Sequence, residues 1–209
     1  MYGKEDVRKT LAVIADMMTE NNAMLTELDA AMGDGDLGLY MERGFRTAAD
    51  TAAKSEDNPG PLLKKAGMAI MNDAPSTLGT LVGILVRGMG TALPADRESF
   101  DLGDLAVMLR SGYEAMMKRG KASPGEKTIL DSLNPGIEAL EKALSEGAEA
   151  ETCLSAAYEA ALSGMHKATA MKAIHGRPSY FGDKTIGMQD GGATVGMLLF
   201  KSLLASART

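Results

Sequence analysis

The chain has 209 residues and a formal net charge of −6, and it contains 31 Ala, 24 Leu and 16 Met against only 6 Val and 7 Ile. Because Ala, Leu and Met favour helices whereas β-branched residues favour strands, this composition indicates an all-α fold and argues against sandwiches, strand barrels and large parallel sheets. The acidic balance argues against general nucleic-acid binding, and the balance of charged and hydrophobic residues argues against a disordered chain.

The first residues, the lack of a long apolar run and the single cysteine together predict a cytoplasmic protein. The first 25 residues stay amphipathic, so no signal peptide is expected. No uncharged apolar run reaches the roughly 18 residues that a membrane span requires. The single cysteine, Cys153, lies in an Ala-rich helical stretch and is expected to be a small buried residue.

Helical periodicity recurs along most of the chain. The first predicted helix presents Val7, Leu11, Ile14 and Met18 on one face and continues through residues 24–28. Further helices are predicted over 38–54, 80–92, 127–145, 149–171 and 191–207, and the one over 80–92 is apolar enough to be a buried central helix. Two more are predicted to begin at Pro61 and after a cap at Asp101. No connection is long enough to divide the chain, which predicts a single domain over residues 1–209.

Glycine, aspartate and proline gather in four connections between the predicted helices, at 33–38, 73–79, 119–125 and 176–192. In an antiparallel bundle, alternate connections fall at the same end, so four polar connections at one end would form a site. Long irregular connections in compact domains are often functional. The alternative interpretation is that they only join helices.

Three aspartates, Asp29, Asp34 and Asp36, fall close together around Gly33 and Gly35. Carboxylates at this spacing repel one another, and a divalent cation such as Mg²⁺ relieves the repulsion. The glycines formally match a dinucleotide fingerprint, but a helical pattern precedes them and bare carboxylates would repel a pyrophosphate. An EF-hand is excluded because Phe45 or Thr47 would stand at its twelfth position. A solvated Asx–Gly turn stays open as the alternative.

Four ordered motifs resemble the nucleotide-binding L subunit of dihydroxyacetone kinases. They are the segments Leu28–Gly38 with Arg43–Phe45, Gly120–Thr128, Gly176–Gly182 and Gly187–Thr194, which together span about residues 25–200. The resemblance implies an antiparallel eight-helix barrel or bundle with the nucleotide, ATP or ADP, at one rim. It implies two Mg²⁺ ions held by Asp29, Asp34 and Asp36, and it assigns no catalytic residue to this chain.

The resemblance also implies which residues contact the nucleotide. Those expected against the phosphates, beside the nucleoside or in a closing lid are Leu37, Gly38, Leu39, Tyr40, Ser76, Thr77, Leu78, Gly79, Gly120, Ile129, Arg177, Asp190, Gly191 and Gly192. Two of these have a simpler alternative role, because Ser76 or Thr77 could serve as a helix cap and Arg177 could form a surface ion pair.

The family implies a division of labour. A separate K-type subunit holds the small hydroxyketone, so this chain alone is expected to bind nucleotide and phosphorylate little. The phosphoryl donor is either exchangeable ATP or a phosphotransferase-system protein that rephosphorylates bound ADP. No nucleic acid or membrane partner is expected, and a homodimer stays open.

Several positions depart from the family pattern, among them the connection Pro75–Gly79 where the family usually has Gly-Gly-Ala-Ser-Gly. Leu37 and Met188 stand where the family carries histidines, and Gly191 replaces a proline. The remaining histidines do not substitute, since His166 is expected in a helix and His175 precedes Gly176. We hypothesise a changed acceptor, a related small hydroxyketone or a tetrose. The alternatives are a nucleotide-binding regulatory protein without turnover and the nucleotide domain of a fatty-acid kinase system.

Overall fold

A computed structural model describes residues 1–208. Over this range the chain forms nine α-helices, one 3₁₀ segment (Arg177–Thr185) and one antiparallel pair of short strands, β1 (Tyr2–Gly3) and β2 (Ser99–Phe100). The helices are α1 Lys4–Glu20, α2 Asn22–Ala30, α3 Leu37–Lys54, α4 Pro59–Asp73, α5 Thr77–Ala92, α6 Leu102–Gly120, α7 Leu130–Ser145, α8 Ala150–Ala168 and α9 Gly191–Arg208. The predicted all-α class is confirmed.

The helix boundaries differ from the predicted ones in a few places. The first predicted helix is broken at Asn21, whose φ of −103° and ψ of 9° separate α1 from α2. Counting those two as one gives the eight helices expected. Helix α4 begins at Pro59 rather than Pro61, because a proline at the first helical position needs no N–H partner. Helix α7 begins at Leu130 rather than 127, since Lys127 has a left-handed φ of +57°.

The helices belong to two compact units, of which unit 1 comprises Met1–Met18 and Tyr40–Gly120. Its helices α4 and α5 run antiparallel with their backbones in contact. A Cβ added at Gly67 would lie 2.5 Å from the Gly83 carbonyl oxygen, and one added at Gly60 would lie 2.8 Å from that of Leu93. Helix α6 packs against the other side of α5, so α5 is the buried central helix that its apolar sequence predicts.

Unit 2 comprises Thr19–Leu39 and the chain from Lys121 onward. Its core consists of the three helices α7, α8 and α9. Helices α7 and α9 run parallel, since Ser132 of α7 lies against Gly196 of α9 and, one turn further along both helices, Gly136 lies against Phe200. Cys153 is fully buried in α8 and donates its thiol to the Ala148 carbonyl, as expected of a small core residue. None of the helices in residues 1–208 has the length and apolar character needed to cross a membrane.

Candidate functional site

Three carboxylates of unit 2 converge at the connection between α2 and α3. Asp29 lies in the last turn of α2, and Asp34 and Asp36 lie in the turn that follows. One carboxylate oxygen from each residue lies within 4.8 Å of those of the other two. The backbone N–H of Asp36 donates to Asp29 Oδ2 at 3.0 Å, which closes the turn around the cluster. The predicted grouping of the three aspartates is therefore present in the structure.

Two glycines allow this convergence. Gly35 has a φ of +74°, a left-handed conformation that L side chains rarely adopt. At Gly33 a Cβ would lie 2.4 Å from Asp29 Oδ1 and 2.9 Å from the Asp29 carbonyl oxygen. Only glycine at position 33 leaves the Asp29 carboxylate where it is.

The cluster is electrostatically unfavourable as it stands. The pKa of Asp36 is raised above its ordinary value, first by burial and then by the neighbouring carboxylates Asp34 and Asp29. Arg177 acts in the opposite direction, since its Nη1 lies 2.5 Å from Asp34 Oδ2. One guanidinium does not balance three carboxylates, so the cluster has the charge and the oxygen atoms for a cation.

The first turn of α3 follows the aspartates directly. Leu37 is buried, and Leu39 is about half exposed. Gly38 packs against α2 so closely that a Cβ there would lie 2.2 Å from the Asn22 carbonyl oxygen. The N–H groups of the first four residues of an α-helix have no acceptor within the helix. At α3 the cap residue Asp36 already donates to Asp29, so the free donors are residues 37–39, which lie with the positive end of the helix dipole beside the carboxylates.

The start of α9 is built differently. Asp190 is buried, and its Oδ2 accepts a hydrogen bond from the Ala193 N–H at 2.7 Å, so this carboxylate caps the helix. Burial raises the pKa of Asp190 to about 6, against the opposing effects of this hydrogen bond and of Lys127. Gly191 faces Leu37, whose Cδ2 lies 2.6 Å from where a Cβ would stand. The Asp190 carboxylate is thus occupied as a helix cap, and its predicted contact with the nucleotide stays a prediction.

The connection 121–129 lies against the same end of α9. A Cβ at Gly192 would lie 3.1 Å from the Ile129 backbone nitrogen, and the Ile129 side chain is buried. Asp131 holds the connection by accepting hydrogen bonds from the backbone N–H groups of Gly125 at 2.5 Å and Thr128 at 2.7 Å. Ile129 is therefore enclosed by residues of its own unit, and its predicted contact with the nucleotide stays a prediction.

Lys127 is a buried cation that the sequence analysis missed. Its side chain is 3% exposed, and its Nζ donates to three carbonyl oxygens: those of Ala168 at 2.9 Å, Thr169 at 3.2 Å and Met188 at 2.6 Å. Burial lowers its pKa, while the nearby charges of Asp190 and Asp131 raise it. The signal available in the sequence was its place in the Gly120–Thr128 motif, but an isolated lysine in a connection ordinarily indicates a solvated residue.

The connection between α8 and α9, which we call the 169–187 loop, carries Arg177. Its two ends are joined by a hydrogen bond from the Gly187 N–H to the Thr169 carbonyl at 2.8 Å. His175 contacts Glu126 at 2.5 Å. A backbone hydrogen bond from Ser123, and secondly His175, hold the pKa of Glu126 below its usual value. Tyr180 is 89% exposed at the outer part of the loop. His175, whose role the sequence left open, thus connects the 169–187 loop to the 121–129 connection within unit 2. His166 is exposed at the end of α8.

The other predicted nucleotide contacts belong to unit 1. Ser76 caps α5, because its Oγ accepts a hydrogen bond from the Gly79 N–H at 3.0 Å. Gly79 lies against Ala74, and Gly120 lies beside Leu81, so the start of α5 and the end of α6 are adjacent. Of the two hydroxyls weighed as helix caps, Ser76 takes this role. The remaining predicted contacts in this unit are Tyr40, Thr77 and Leu78, of which Thr77 is exposed.

Within unit 2 the predicted residues form one continuous set. Arg177 contacts Asp34, Leu37 contacts Gly191, and Gly192 lies against Ile129. The set therefore runs from the aspartates through the start of α3 to the start of α9. Such an arrangement can bind a cation through its carboxylates and an anion through backbone N–H groups at helix starts.

Comparisons with known proteins identify the family of this chain. Residues 31–205 match the family model described as the DAK2 domain. The chain is 34% identical over 194 residues to the ADP-binding subunit DhaL of the PEP-dependent dihydroxyacetone kinase of Escherichia coli, covering 92% of each chain. It is 32% identical to the ADP-binding subunit DhaL of the PTS-dependent dihydroxyacetone kinase of Lactococcus lactis, covering 88% of each.

Longer relatives match over a part of their length. The chain is 30% identical to a D-erythrulose kinase of Mycolicibacterium smegmatis, but spans 35% of it. The dihydroxyacetone kinase of C. freundii, solved in complex with AMP-PNP and Mg²⁺, has the same fold over 96% of this chain and 33% of its own, with a TM-score of 0.75 at 23% identity. Because the family model and the DhaL subunits match nearly the whole chain, this protein belongs to the DAK2-domain family of dihydroxyacetone kinase subunits.

Proposed function

We propose that this chain binds a magnesium nucleotide and acts as the phosphoryl-transfer subunit of a dihydroxyacetone-type kinase. The observation that carries the proposal is the convergence of Asp29, Asp34 and Asp36 within 4.8 Å, beside the start of α3. Phosphoryl transfer depends mainly on positioning and on neutralising phosphate charge, and both tasks need a cation and backbone donors in one place.

The three aspartates fit Mg²⁺. The ion prefers carboxylate oxygens and keeps other positions for water and phosphate oxygens. The raised pKa of Asp36 and the mutual repulsion of the carboxylates are the cost that a bound cation removes. We propose two ions, since three carboxylates offer enough oxygen atoms for two partly shared shells.

The nucleotide phosphates would lie at the helix starts. The N–H groups of Leu37, Gly38 and Leu39 at the start of α3, and that of Gly191 at the start of α9, suit phosphate oxygens. Tyr40 and Gly192 stay proposed contacts, although the Gly192 N–H also donates to Asp190. Arg177 would exchange part of its contact with Asp34 for a phosphate once a cation neutralises the carboxylates. The other residues that we retain as proposed contacts to the nucleotide are Ser76, Thr77, Leu78, Gly79, Gly120, Ile129 and Asp190.

The phosphoryl acceptor would be a small hydroxyketone held by a separate K-type subunit. The DhaL relatives of similar length are by name ADP-binding subunits, and the erythrulose kinase matched is almost three times as long as this chain. Leu37 is buried against Gly191, so position 37 offers an apolar surface where the family would offer an imidazole. This supports an acceptor other than dihydroxyacetone, with erythrulose as the first to try, and we place the reaction in the cytoplasm.

Two measurements test this function. Isothermal calorimetry should show ADP binding that requires Mg²⁺. Radiolabelled phosphate should then pass to dihydroxyacetone or erythrulose when a K-type subunit is added, with ATP or with a phosphotransferase donor as the source. Mg-ADP binding without transfer to either acceptor would favour the regulatory alternative, and absence of Mg-ADP binding would overturn the proposal.

A further inference from the structure

The Lys127 ammonium lies at the point where the 169–187 loop begins and ends. Two of its three acceptors, Ala168 and Thr169, are the last residue of α8 and the residue after it, and the third, Met188, directly follows the loop. The last carbonyls of a helix lack N–H donors within the helix and carry its negative end. One cation thus ties both ends of the loop to the 121–129 connection.

The backbone at position 127 has a conformation that glycine would adopt at lower cost. Lys127 has a φ of +57°, a conformation that costs an L residue about 1 kcal/mol and that glycine adopts freely. Lys121 in the same connection also has a positive φ, +52°, but its side chain is exposed. The chain therefore offers two left-handed lysines that differ in what their ammonium groups contact.

The loop that Lys127 ties carries a residue of the candidate site. Arg177 reaches Asp34 from this loop, and Met188 stands two residues before the cap of α9 at Asp190. Fixing the two ends of a connection restricts where its middle can lie. The position of Arg177 beside the aspartates thus depends on contacts made at the far end of its own loop.

We propose that Lys127 is a positioning residue: its ammonium closes the 169–187 loop at its base and thereby holds Arg177 at the acidic cluster for nucleotide binding. This inference rests on the proposed function for its effect on affinity. Its effect on the loop does not depend on that function.

The first experiment compares Lys127→Met and Lys127→Gly with Lys121→Met and Lys121→Gly. Trypsin cleavage after Lys172 and Lys184, followed by mass spectrometry, reports loop order without nucleotide. We expect both Lys127 variants to be cut about tenfold faster at these sites, because charged hydrogen bonds at the base of the loop are lost. The Lys121 variants should match the wild type. Equal cleavage rates in all five proteins, with circular dichroism showing folded chains, would overturn the proposal.

The second experiment asks whether Lys127 acts through Arg177. Mg-ADP affinity is measured by calorimetry for the wild type, Lys127→Met, Arg177→Ala and the double variant. We expect Lys127→Met alone to weaken binding about tenfold, but to add less than about threefold when Arg177 is already absent. Equal effects in both backgrounds would show a merely structural lysine and contradict the proposal.

The outcomes separate the inference from the proposed function. A wild type that fails to bind Mg-ADP, with fast loop cleavage in the Lys127 variants, overturns the proposed function and retains the loop closure. If neither Lys127 variant folds, hydrogen exchange on the wild type decides: the Gly187 amide, which donates to Thr169, should exchange at least about tenfold more slowly than exposed amides of the loop. Equal exchange would overturn the closure.

Discussion

Two helices, α3 and α9, each begin after an aspartate of unit 2, but the carboxylates of these aspartates have different partners. Before α9, Asp190 is buried and its carboxylate accepts a hydrogen bond from its own helix. Before α3, Asp34 and Asp36 converge with Asp29, and the nearest cation reaches only Asp34. An aspartate before a helix therefore indicates a cap when its carboxylate is occupied by N–H donors, and a ligand site when several carboxylates converge.

The pKa values alone would not have distinguished the two. Burial is the largest cause of the raised pKa at both Asp36 and Asp190. The difference lies in the remaining causes: a hydrogen bond to Asp34 and then repulsion by Asp34 and Asp29 raise the pKa of Asp36 further, whereas hydrogen bonds and Lys127 lower that of Asp190. A raised pKa shows that the charged form of a carboxylate is unfavourable. The geometry then indicates whether groups of the protein stabilise that charge or whether a bound cation would be needed.

The largest expected effect is the loss of metal-dependent binding at the start of α3. Asp34→Asn or Asp36→Asn should weaken Mg-ADP binding by about a hundredfold or more, since each removes a charged ligand from the cation. Calorimetry measures the affinity and thermal unfolding checks the fold, which should be unimpaired because carboxylate repulsion is reduced. Asp50→Asn, at an exposed position of α3, is the matched control. Unchanged affinity in both variants would contradict the metal assignment.

A substitution at the start of α9 should lower the free energy of unfolding. Asp190→Ala removes the cap and leaves Lys127 with one fewer opposing charge, so the free energy of unfolding should fall by about 1–2 kcal/mol. Urea titration measures this change. Asp183→Ala, at an exposed carboxylate paired with Lys172, should cost less than about 0.5 kcal/mol. Equal losses in the two variants would mean that Asp190 does not serve as the cap.

A smaller effect is expected at Gly33, which supports the cluster without ligating anything. In Gly33→Ala the new Cβ would meet Asp29 at 2.4 Å, so the carboxylate and the local backbone must shift. We expect Mg-ADP affinity to fall about tenfold, since misplaced ligands lose much of their benefit. Gly3→Ala, where the nearest atom is 3.6 Å away, serves as the control in the same calorimetric assay. An unaltered affinity would show that the cluster adapts to the added methyl group.

The last expected effect is a dependence of stability on pH. Asp190 titrates near 6 in the folded protein and at its ordinary 3.8 when unfolded, so between these values the folded state binds the extra proton. Rising pH through this window therefore removes stability, and above 6 the contribution is constant. Urea titrations of the wild type and Asp190→Asn from pH 4 to pH 7 should show their stability difference changing mainly below pH 6. A constant difference across the range would contradict the raised pKa.

Much of the fold followed from local patterns. The apolar face of α1 and the all-round apolar sequence of α5 were sufficient, because helices depend on residues three and four apart. The break at Asn21 was missed because an amphipathic pattern runs on through it. The β1–β2 pair was missed because its partners stand almost a hundred residues apart and each strand has only two residues.

The candidate site was predicted in part for the same reason. The aspartates are close in sequence, so their convergence needed only a tight turn. Lys127 and the Glu126–His175 pair depend on tertiary packing, since each joins segments more than 40 residues apart. Asp190 and Ile129 are both buried in unit 2. No pattern in a single sequence shows which residues of a connection will be enclosed.

The exposure of Tyr180 has a practical consequence. The chain contains no tryptophan, so it emits almost no fluorescence when excited at the red edge of protein absorption. Tyr180→Trp would place the sole indole on the outer part of the loop that carries Arg177, at a position whose side chain is 89% exposed and displaces nothing from the core. Its emission and quenching would then follow one loop alone, which makes this protein suited to watching a single segment respond as nucleotide and metal are added.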